Sequence, residues 1–221
     1  MRRPRIVLVA LVVLGGLGAL LPACNVAGAI AYFTAPRQIQ KAEFALTKGR
    51  LAVLIEPARP EDDNPVFTQA LHTKLTEIFR EKKVNEQVVP FAEVQRLRQV
   101  SPDFDRWDMQ RVAKALNAEQ LLYIRVEHLS MKSTAAHPVL EPTADLRIKV
   151  ISPAVPPKKA RVWPKSEERE GRTIQRGRAM REASDPSALD TEADKLGKDV
   201  ARLVAKPFYD VDLEEKDQWE P

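Results

Sequence analysis

The side chains that most often act as nucleophiles and metal ligands are sparse in this chain. Its histidines are His72, His128 and His137, and they form neither an H-E-x-x-H pattern nor a pair four residues apart. A zinc site would have to be assembled from scattered residues. The sequence also contains no Gly-x-Ser-x-Gly elbow and no glycine-rich phosphate loop. We therefore expect no metal and no cofactor, and these residues support no particular enzymatic activity.

Acidic residues gather at two places where a helix is expected to begin. Glu61-Asp62-Asp63 follows the first predicted strand, where open α/β sheets often bind ligands, so a cation or amine site is one interpretation. The other is that carboxylates complement the positive N-terminal end of the helix that follows. We favour the second, and we extend it to the cluster that contains Asp103, Asp105 and Asp108.

The single cysteine, Cys24, closes an apolar segment that follows the basic cluster Met1-Arg2-Arg3-Pro4-Arg5. No charged residue occurs between Ile6 and Ala35, which indicates a membrane-inserting segment. Leu21-Pro22-Ala23-Cys24 resembles the bacterial lipobox, in which the cysteine thiol receives a diacylglycerol before cleavage. Pro22 departs from that motif, which usually has a small or β-branched residue there. The resemblance implies a signal peptide over 1–23 and a lipidated Cys24.

The alternative is an uncut transmembrane helix in which Cys24 is merely a small apolar residue. Both interpretations leave the basic end in the cytoplasm and everything after residue 36 outside. The glycines Gly15, Gly16 and Gly18 favour a short cleaved segment over a spanning helix. Asn25 is not the aspartate that often retains lipoproteins in the inner membrane, so we expect an outer-membrane anchor that faces the periplasm.

Charge excludes one broad class of partner. The chain has 35 Lys and Arg against 31 Asp and Glu, and removal of Arg2, Arg3 and Arg5 with the signal peptide leaves 32 against 31. A nearly neutral mature chain has no general field to hold a phosphate polymer, so we expect no nucleic-acid binding.

Basic residues are locally concentrated over 158–182, and the C-terminal tail is acidic. We predict that Arg172, Arg176 and Arg178 contact an anionic partner, such as acidic lipid head groups or an acidic protein, in a salt-dependent way. The competing interpretation is that the tail folds back over this basic stretch through Asp210, Asp212, Glu214 and Glu215. A third is that the stretch is a solvated face.

Hydrophobic patterns predict the elements that would carry these residues. Leu51–Ile55 is a continuous apolar run, typical of a strand buried on both faces, and Asn64-Pro65 then starts a helix with an Asn cap. A short strand is expected over Glu86–Pro90, a helix over Phe91–Val100 and a helix from about Asp105 to Asn117. Further strands are predicted over Leu121–Met131, Thr143–Ile151 and Ala160–Trp163, with a short edge strand near Arg172–Gln175.

The last helix has the clearest pattern. Ser184-Asp185-Pro186 is a cap signal, and apolar residues then recur at 4-3-4-3 spacing: Leu189, Ala193, Leu196, Val200, Leu203 and Val204. Asp194 and Lys198 form a supporting pair on the outer face. Gly197 lies on the apolar face, which predicts a close approach to the sheet.

These elements predict an α/β fold with three layers, α/β/α, and one mixed five-stranded sheet. Right-handed crossovers give the sheet order 2-1-3-4-5, with helices on both faces and a long C-terminal helix. The predicted organisation is a signal peptide over 1–23, a lipidated tether over 24–50, the α/β domain over 51–209 and an acidic tail over 210–221.

The pattern of elements resembles the N-terminal domain of TolB and the curli-secretion lipoprotein CsgG. The matching features are Arg50–Ile55 entering a capped helix, Val112–Ala118 running into Leu121–Val126, and the terminal helix followed by Ala205–Tyr209. The likeness covers about residues 50–209, without an invariant chemical motif. The chain has no segment long enough for the membrane-crossing hairpins of the secretion pore, and no propeller repeats follow as in TolB.

The resemblance implies a non-enzymatic binding or assembly role in the cell envelope, with an envelope protein as partner. The alternatives are an uncleaved single-pass membrane protein with the same outward domain and, further behind, a periplasmic hydrolase. A pocket with a convergent histidine and carboxylate would favour the hydrolase.

Overall fold

A computed structural model describes residues 39–132, 139–165, 170–182 and 187–212. The chain divides into two compact units, one of residues 1–40 with 212–221 and the other of Lys41–Val211. The described residues of the first unit are the strand β1, Ile39–Gln40, and Asp212.

The second unit alternates strands and helices in the predicted order. In chain order its elements are β2 (Leu51–Pro57), α1 (Pro65–Glu81), α2 (Phe91–Val100), α3 (Met109–Ala115), β3 (Gln120–Lys132), β4 (Val139–Ile151), β5 (Arg161–Trp163), β6 (Arg172–Gly177), β7 (Arg181–Glu182) and α4 (Ala188–Ala205), and it ends within β8 (Val211–Asp212). No helix within the described ranges is long and apolar enough to span a bilayer.

One mixed sheet organises the unit. Strand β2 runs parallel to β3, from Leu51 opposite Gln120 to Pro57 opposite Val126, and β3 is antiparallel to β4. The other edge of β4 pairs in turn with β5, β6 and β7. The predicted order is thus confirmed, as is the edge strand near Arg172, which extends to Gly177.

The second predicted strand, Glu86–Pro90, is shorter than expected. It reduces to one parallel bridge between Val88 and Leu51, in which Leu51 N–H donates to the Gln87 carbonyl and Val89 N–H to the Leu51 carbonyl. Pro90 has no N–H with which to extend the ladder, and α2 begins directly after it.

Helices cover both faces of the sheet, which confirms the three layers. Val53 and Ile55 of β2 point into a core shared with α1 and α4. Ala52 and Leu54, which alternate with them, belong to a separate cluster with α2 and α3. Burial on both faces explains the continuous apolar run of β2. In β4, by contrast, Leu146, Ile148 and Val150 are fully buried on one face only, as the alternation predicts.

The helix ends follow from individual residues. Asn64 Oδ1 accepts the N–H of Phe67 at 3.0 Å, as expected of the cap of α1. Asn117 has a φ of 51° after α3, and this left-handed residue also confirms the prediction. The predicted start of α3 near Asp105 is wrong. Phe104–Arg106 forms a separate 3-10 turn, and α3 begins at Met109 because Asp108 Oδ1 caps the Arg111 N–H at 2.9 Å.

Helix α4 packs against α1 and the sheet through its predicted apolar face. Leu196, Val200 and Val204 are fully buried, whereas Leu203 is only partly buried. Gly197 makes the predicted close approach, but to α1 and not to the sheet. A Cβ built there would lie 2.7 Å from the Phe67 carbonyl oxygen. The predicted cap Ser184-Asp185-Pro186 lies outside the described residues.

Candidate functional site

The three arginines predicted to bind an anionic partner lie on and just after β6, with carboxylates of the chain beside two of them. Arg178 Nε lies 3.2 Å from Glu192 of α4, and its Nη1 also contacts Asp199. The Arg178 side chain is only 20% exposed. Arg172 pairs with Glu43. Arg176 is partly buried, and its Nε has no hydrogen-bond partner among the described residues.

These contacts assign a structural role to two of the predicted residues. Arg178 ties the end of β6 to α4, and Arg172 ties the start of β6 to the segment before β2. The anionic contact at Arg172, Arg176 and Arg178 stays a prediction. Of the acidic residues invoked to cover them, Asp210 instead binds Lys41, and Glu214 and Glu215 lie outside the described residues.

The acidic cluster before α1 holds one buried carboxylate, Asp62. It accepts hydrogen bonds from Arg59 Nε at 2.7 Å, from Arg59 Nη2 at 3.0 Å and from the Leu129 N–H at 2.9 Å. Burial tends to raise the pKa of Asp62, but these hydrogen bonds and the charges of Arg59 and His128 outweigh it and hold the pKa below its ordinary value. Asp62 thus closes the loop between β2 and α1.

The described histidines have different surroundings. His128 is half exposed, with Nδ1 3.5 Å from Asp62 and 3.1 Å from Arg59. The Asp62 carboxylate beside it is already engaged by Arg59 and Leu129. His72 of α1 is buried against the ring of Phe91, and burial lowers the pKa of His72 to about 4. His137 and Cys24 lie outside the described residues. Within the described ranges, no His, Cys, Asp and Glu side chains group as metal ligands.

A charged surface on the sheet was not anticipated as a site. Helices α2 and α3 cover β2 and the start of β3, including the buried Tyr123, and beyond them the same sheet face carries Arg125, Glu127, Arg147 and Lys149. We call these four residues the open sheet face. Arg125 lies directly opposite Arg147 in the ladder. Arg147 in turn contacts Glu127 at 3.2 Å and Glu170 at 2.7 Å.

Burial shifts the pKa values of Lys149 and of the neighbouring Tyr123. The Lys149 ammonium lies 4.9 Å from the centre of the Tyr123 ring. Burial, together with the charges of Arg125 and Arg161, lowers the pKa of Lys149. Burial, followed by the charge of Glu56, raises the pKa of Tyr123. With Arg125, Arg147 and Lys149 against Glu127, the face presents mainly cationic side chains on a sheet scaffold, which suits recognition of a partner's polar surface.

A second surface that the sequence did not reveal is a lysine-lined cavity of about 380 Å³ at the C-terminal end of α1. Its lining includes Lys48, Lys82, Lys83, Tyr209 and Asp210. We call it the lysine pocket. The first of these lysines belongs to the predicted tether, so no sequence pattern joined it to the other two.

The end of α1 places two of the lysines. Lys83 has a φ of 53°, its N–H donates to the Arg80 carbonyl, and Val84 N–H donates back to the Phe79 carbonyl. This is a Schellman turn, which ends the helix and brings Lys82 and Lys83 to the cavity. The Lys82 ammonium lies 5.6 Å from the centre of the Tyr209 ring.

The segment from Lys41 to Arg50 is held against the domain beside this turn. Asn85 Nδ2 donates to the carbonyls of Thr47, at 2.6 Å, and Gly49, at 2.8 Å. Leu46 is buried in the larger core. Lys41 bonds Asp210 at 2.8 Å, so the first and last parts of the unit meet at the rim of the lysine pocket.

Comparisons with known proteins give fold-level similarity only. No protein-family model matches the chain, and no curated protein sequence does. A PelC dodecamer structure from Paraburkholderia phytofirmans is 15% identical, with a TM-score of 0.41, over 79% of this chain and 99% of that one. Lipoprotein GNA1162 from Neisseria meningitidis is 11% identical, with a TM-score of 0.39, over 69% and 98%.

TolB from Acinetobacter baumannii, which belongs to one of the groups named from the sequence, is 9% identical with a TM-score of 0.28. The match covers 76% of this chain and 31% of TolB. Three of the similar structures are named as lipoproteins.

Proposed function

We propose that this chain is a membrane-anchored lipoprotein of the cell envelope whose α/β domain is a non-enzymatic binding or assembly module. The anchor is a diacylglycerol on Cys24, added as the signal peptide over 1–23 is removed, with palmitate among its acyl chains. The domain faces the periplasm from the outer membrane. Two or three acyl chains hold a soluble domain at a bilayer, since each buried CH₂ contributes about 0.8 kcal/mol.

The observation that carries the binding role is the open sheet face. Both of its strands, β3 and β4, are 13 residues long, and beyond α2 and α3 they present charged side chains on a rigid scaffold. Charged faces of this kind give selectivity and association rate more than affinity, which suits a module that assembles with an envelope protein.

Site-specific photocrosslinking in the native envelope tests the binding role. A photoreactive amino acid at Arg125, which is 48% exposed on the open sheet face, should yield a discrete adduct. The same amino acid at Lys198, which is 48% exposed on α4, is the matched control and should yield none. Equal adducts at both positions, or at neither, would contradict an interface on the open sheet face.

Lipid labelling tests the anchor independently. Wild type should incorporate labelled palmitate and lose the signal peptide, whereas Cys24→Ser should remain an unlabelled precursor. If wild type and Cys24→Ser have the same mass and neither takes label, the chain is the uncleaved single-pass protein instead.

A further inference from the structure

The lysine pocket is strongly cationic. Lys48, Lys82 and Lys83 line it, and the only carboxylate among its lining residues is Asp210, which is engaged by Lys41 at the rim. Four positive charges thus surround one negative charge. Like charges gathered around one concave surface repel one another, and an anion that enters relieves this repulsion.

Two of the lysines are available to such an anion. The Lys48 ammonium donates to the Lys83 carbonyl at 2.5 Å and to the Val84 carbonyl at 3.0 Å, and it has no other hydrogen bond or ion pair within the described ranges. One of its three N–H groups is thus left for a ligand, on an ammonium that is held in position. The Lys83 side chain is exposed and has no ion pair with any described residue.

The pocket lies where the chain leaves the domain for the membrane. Lys41 is the first residue of the domain, and its hydrogen bond to Asp210 places it at the rim of the pocket. The chain between Cys24 and Lys41 spans at most about 60 Å when fully extended, so the bilayer surface is within reach. An anionic membrane attracts lysine side chains that lie near its surface.

We infer that the lysine pocket binds the phosphate of an anionic phospholipid head group and so holds the domain against the membrane that carries its anchor. This inference rests on the membrane anchoring proposed above and specifies which surface of the domain faces the lipid. The open sheet face is separate from the pocket lining and is left to the protein partner.

Hydrogen exchange of the full chain in nanodiscs tests the inference. Two disc types are compared, phosphatidylcholine alone and phosphatidylcholine with phosphatidylglycerol. In the anionic discs, amides of 42–48 and 82–85 should exchange at least about threefold more slowly than in the neutral discs. High salt should remove the difference, because exposed charges are screened beyond about 8–10 Å at physiological ionic strength.

A charge-matched pair of triple variants separates the pocket from general electrostatics. Lys48→Gln, Lys82→Gln and Lys83→Gln together should abolish the protection by anionic discs. Lys74→Gln, Lys114→Gln and Lys198→Gln remove the same charge from α1, α3 and α4 and should leave the protection intact. Protection that survives the first triple, or is lost equally in the second, overturns the inference.

Two further outcomes identify the ligand and show whether the lysine pocket alone, or the membrane anchoring as well, is wrong. Inorganic phosphate, compared with chloride at equal ionic strength, should not protect these segments in neutral discs. If it protects them as well as the anionic lipid does, the ligand is free phosphate and the membrane contact is wrong. A chain that stays in both disc types without any difference between them contradicts the lysine pocket alone. A chain that enters neither disc type contradicts the anchoring as well.

Discussion

The carboxylate of Asp62 accepts the backbone N–H of Leu129, in the place where a neighbouring strand would supply a carbonyl. Strand β2 pairs with β3 only as far as Val126, so the N–H of Leu129 lies beyond the end of that ladder. Asp62 Oδ1 accepts it at 2.9 Å while Arg59 holds the other side of the carboxylate. The loop after β2 therefore protects the outer edge of the β3–β4 hairpin, an edge that would otherwise offer an unpaired backbone donor.

Replacement of this carboxylate should destabilise the domain. We expect Asp62→Ala to lower the free energy of unfolding by about 1–3 kcal/mol, because the Leu129 N–H and the Arg59 guanidinium lose their acceptor. Urea denaturation at neutral pH measures the effect. Glu61→Ala removes an exposed neighbour and is the control, with an expected change within about 0.5 kcal/mol. Equal effects would mean that the cap contributes nothing specific.

The ion network of Arg178 should matter more than that of Arg172. Glu192 is only 4% exposed, and burial opposes its ionised form, but Lys195 and Arg178 hold the pKa of Glu192 below its ordinary value. Removing Arg178 leaves this buried carboxylate with weaker compensation, so Arg178→Gln should cost about 1–3 kcal/mol.

The control is Arg172→Gln, whose partner Glu43 is far more exposed, and it should cost under about 1 kcal/mol. Thermal melts of both variants make the comparison. If Arg178→Gln leaves the melting temperature unchanged, the arginine is free to serve an external partner after all.

The buried His72 should make the stability of the domain depend on pH in the mildly acidic range. Its folded pKa of about 4 lies below the ordinary value of 6.5, so its contribution is fully present above pH 6.5 and is lost as the pH falls toward 4. The loss amounts to about 3 kcal/mol for a shift of this size.

Urea denaturation midpoints measured from pH 7 to pH 4 follow this loss, because roughly this interval separates the unfolded and folded pKa values of His72. His72→Leu should flatten the profile of midpoint against pH. An unchanged slope in His72→Leu would assign the acid sensitivity to another group.

Gly197 should resist a substitution that normally strengthens a helix. Alanine is favoured over glycine in a helix interior by about 1 kcal/mol. Here its Cβ would lie 2.7 Å from the Phe67 carbonyl oxygen and 3.0 Å from Ala70 Cβ, so α1 and α4 would have to move apart. We expect Gly197→Ala to cost about 1–3 kcal/mol net. A gain in melting temperature would show that the two helices separate easily.

Local chemistry made several elements predictable. The Asn64-Pro65 cap, the left-handed Asn117 and the alternation of β4 each depend on neighbours in sequence, and each is confirmed. Contacts between distant residues were not predictable in the same way. Arg178 belonged to a basic stretch, and its carboxylate partners are known only once β6 lies beside α4.

The lysine pocket shows the same limit more clearly. Lys48 and Lys83 are separated by a strand and a helix, and each has an ordinary local context. They meet because Asn85 pins the segment before β2 against the Schellman turn of α1. The closeness of Gly197 was predictable from its place on the apolar face, whereas its neighbour Phe67 depends on how α4 crosses α1.

The packing of α4 on α1 also constrains when the protein can fold. Leu196, Val200 and Val204 complete the core begun by Phe67 and Leu71, yet they are among the last parts of the domain to be synthesised. Until they arrive, one face of the β2–β3–β4 sheet and one side of α1 remain uncovered. Each molecule thus passes through an interval of apolar exposure during synthesis, in which the uncovered surfaces are prone to aggregation.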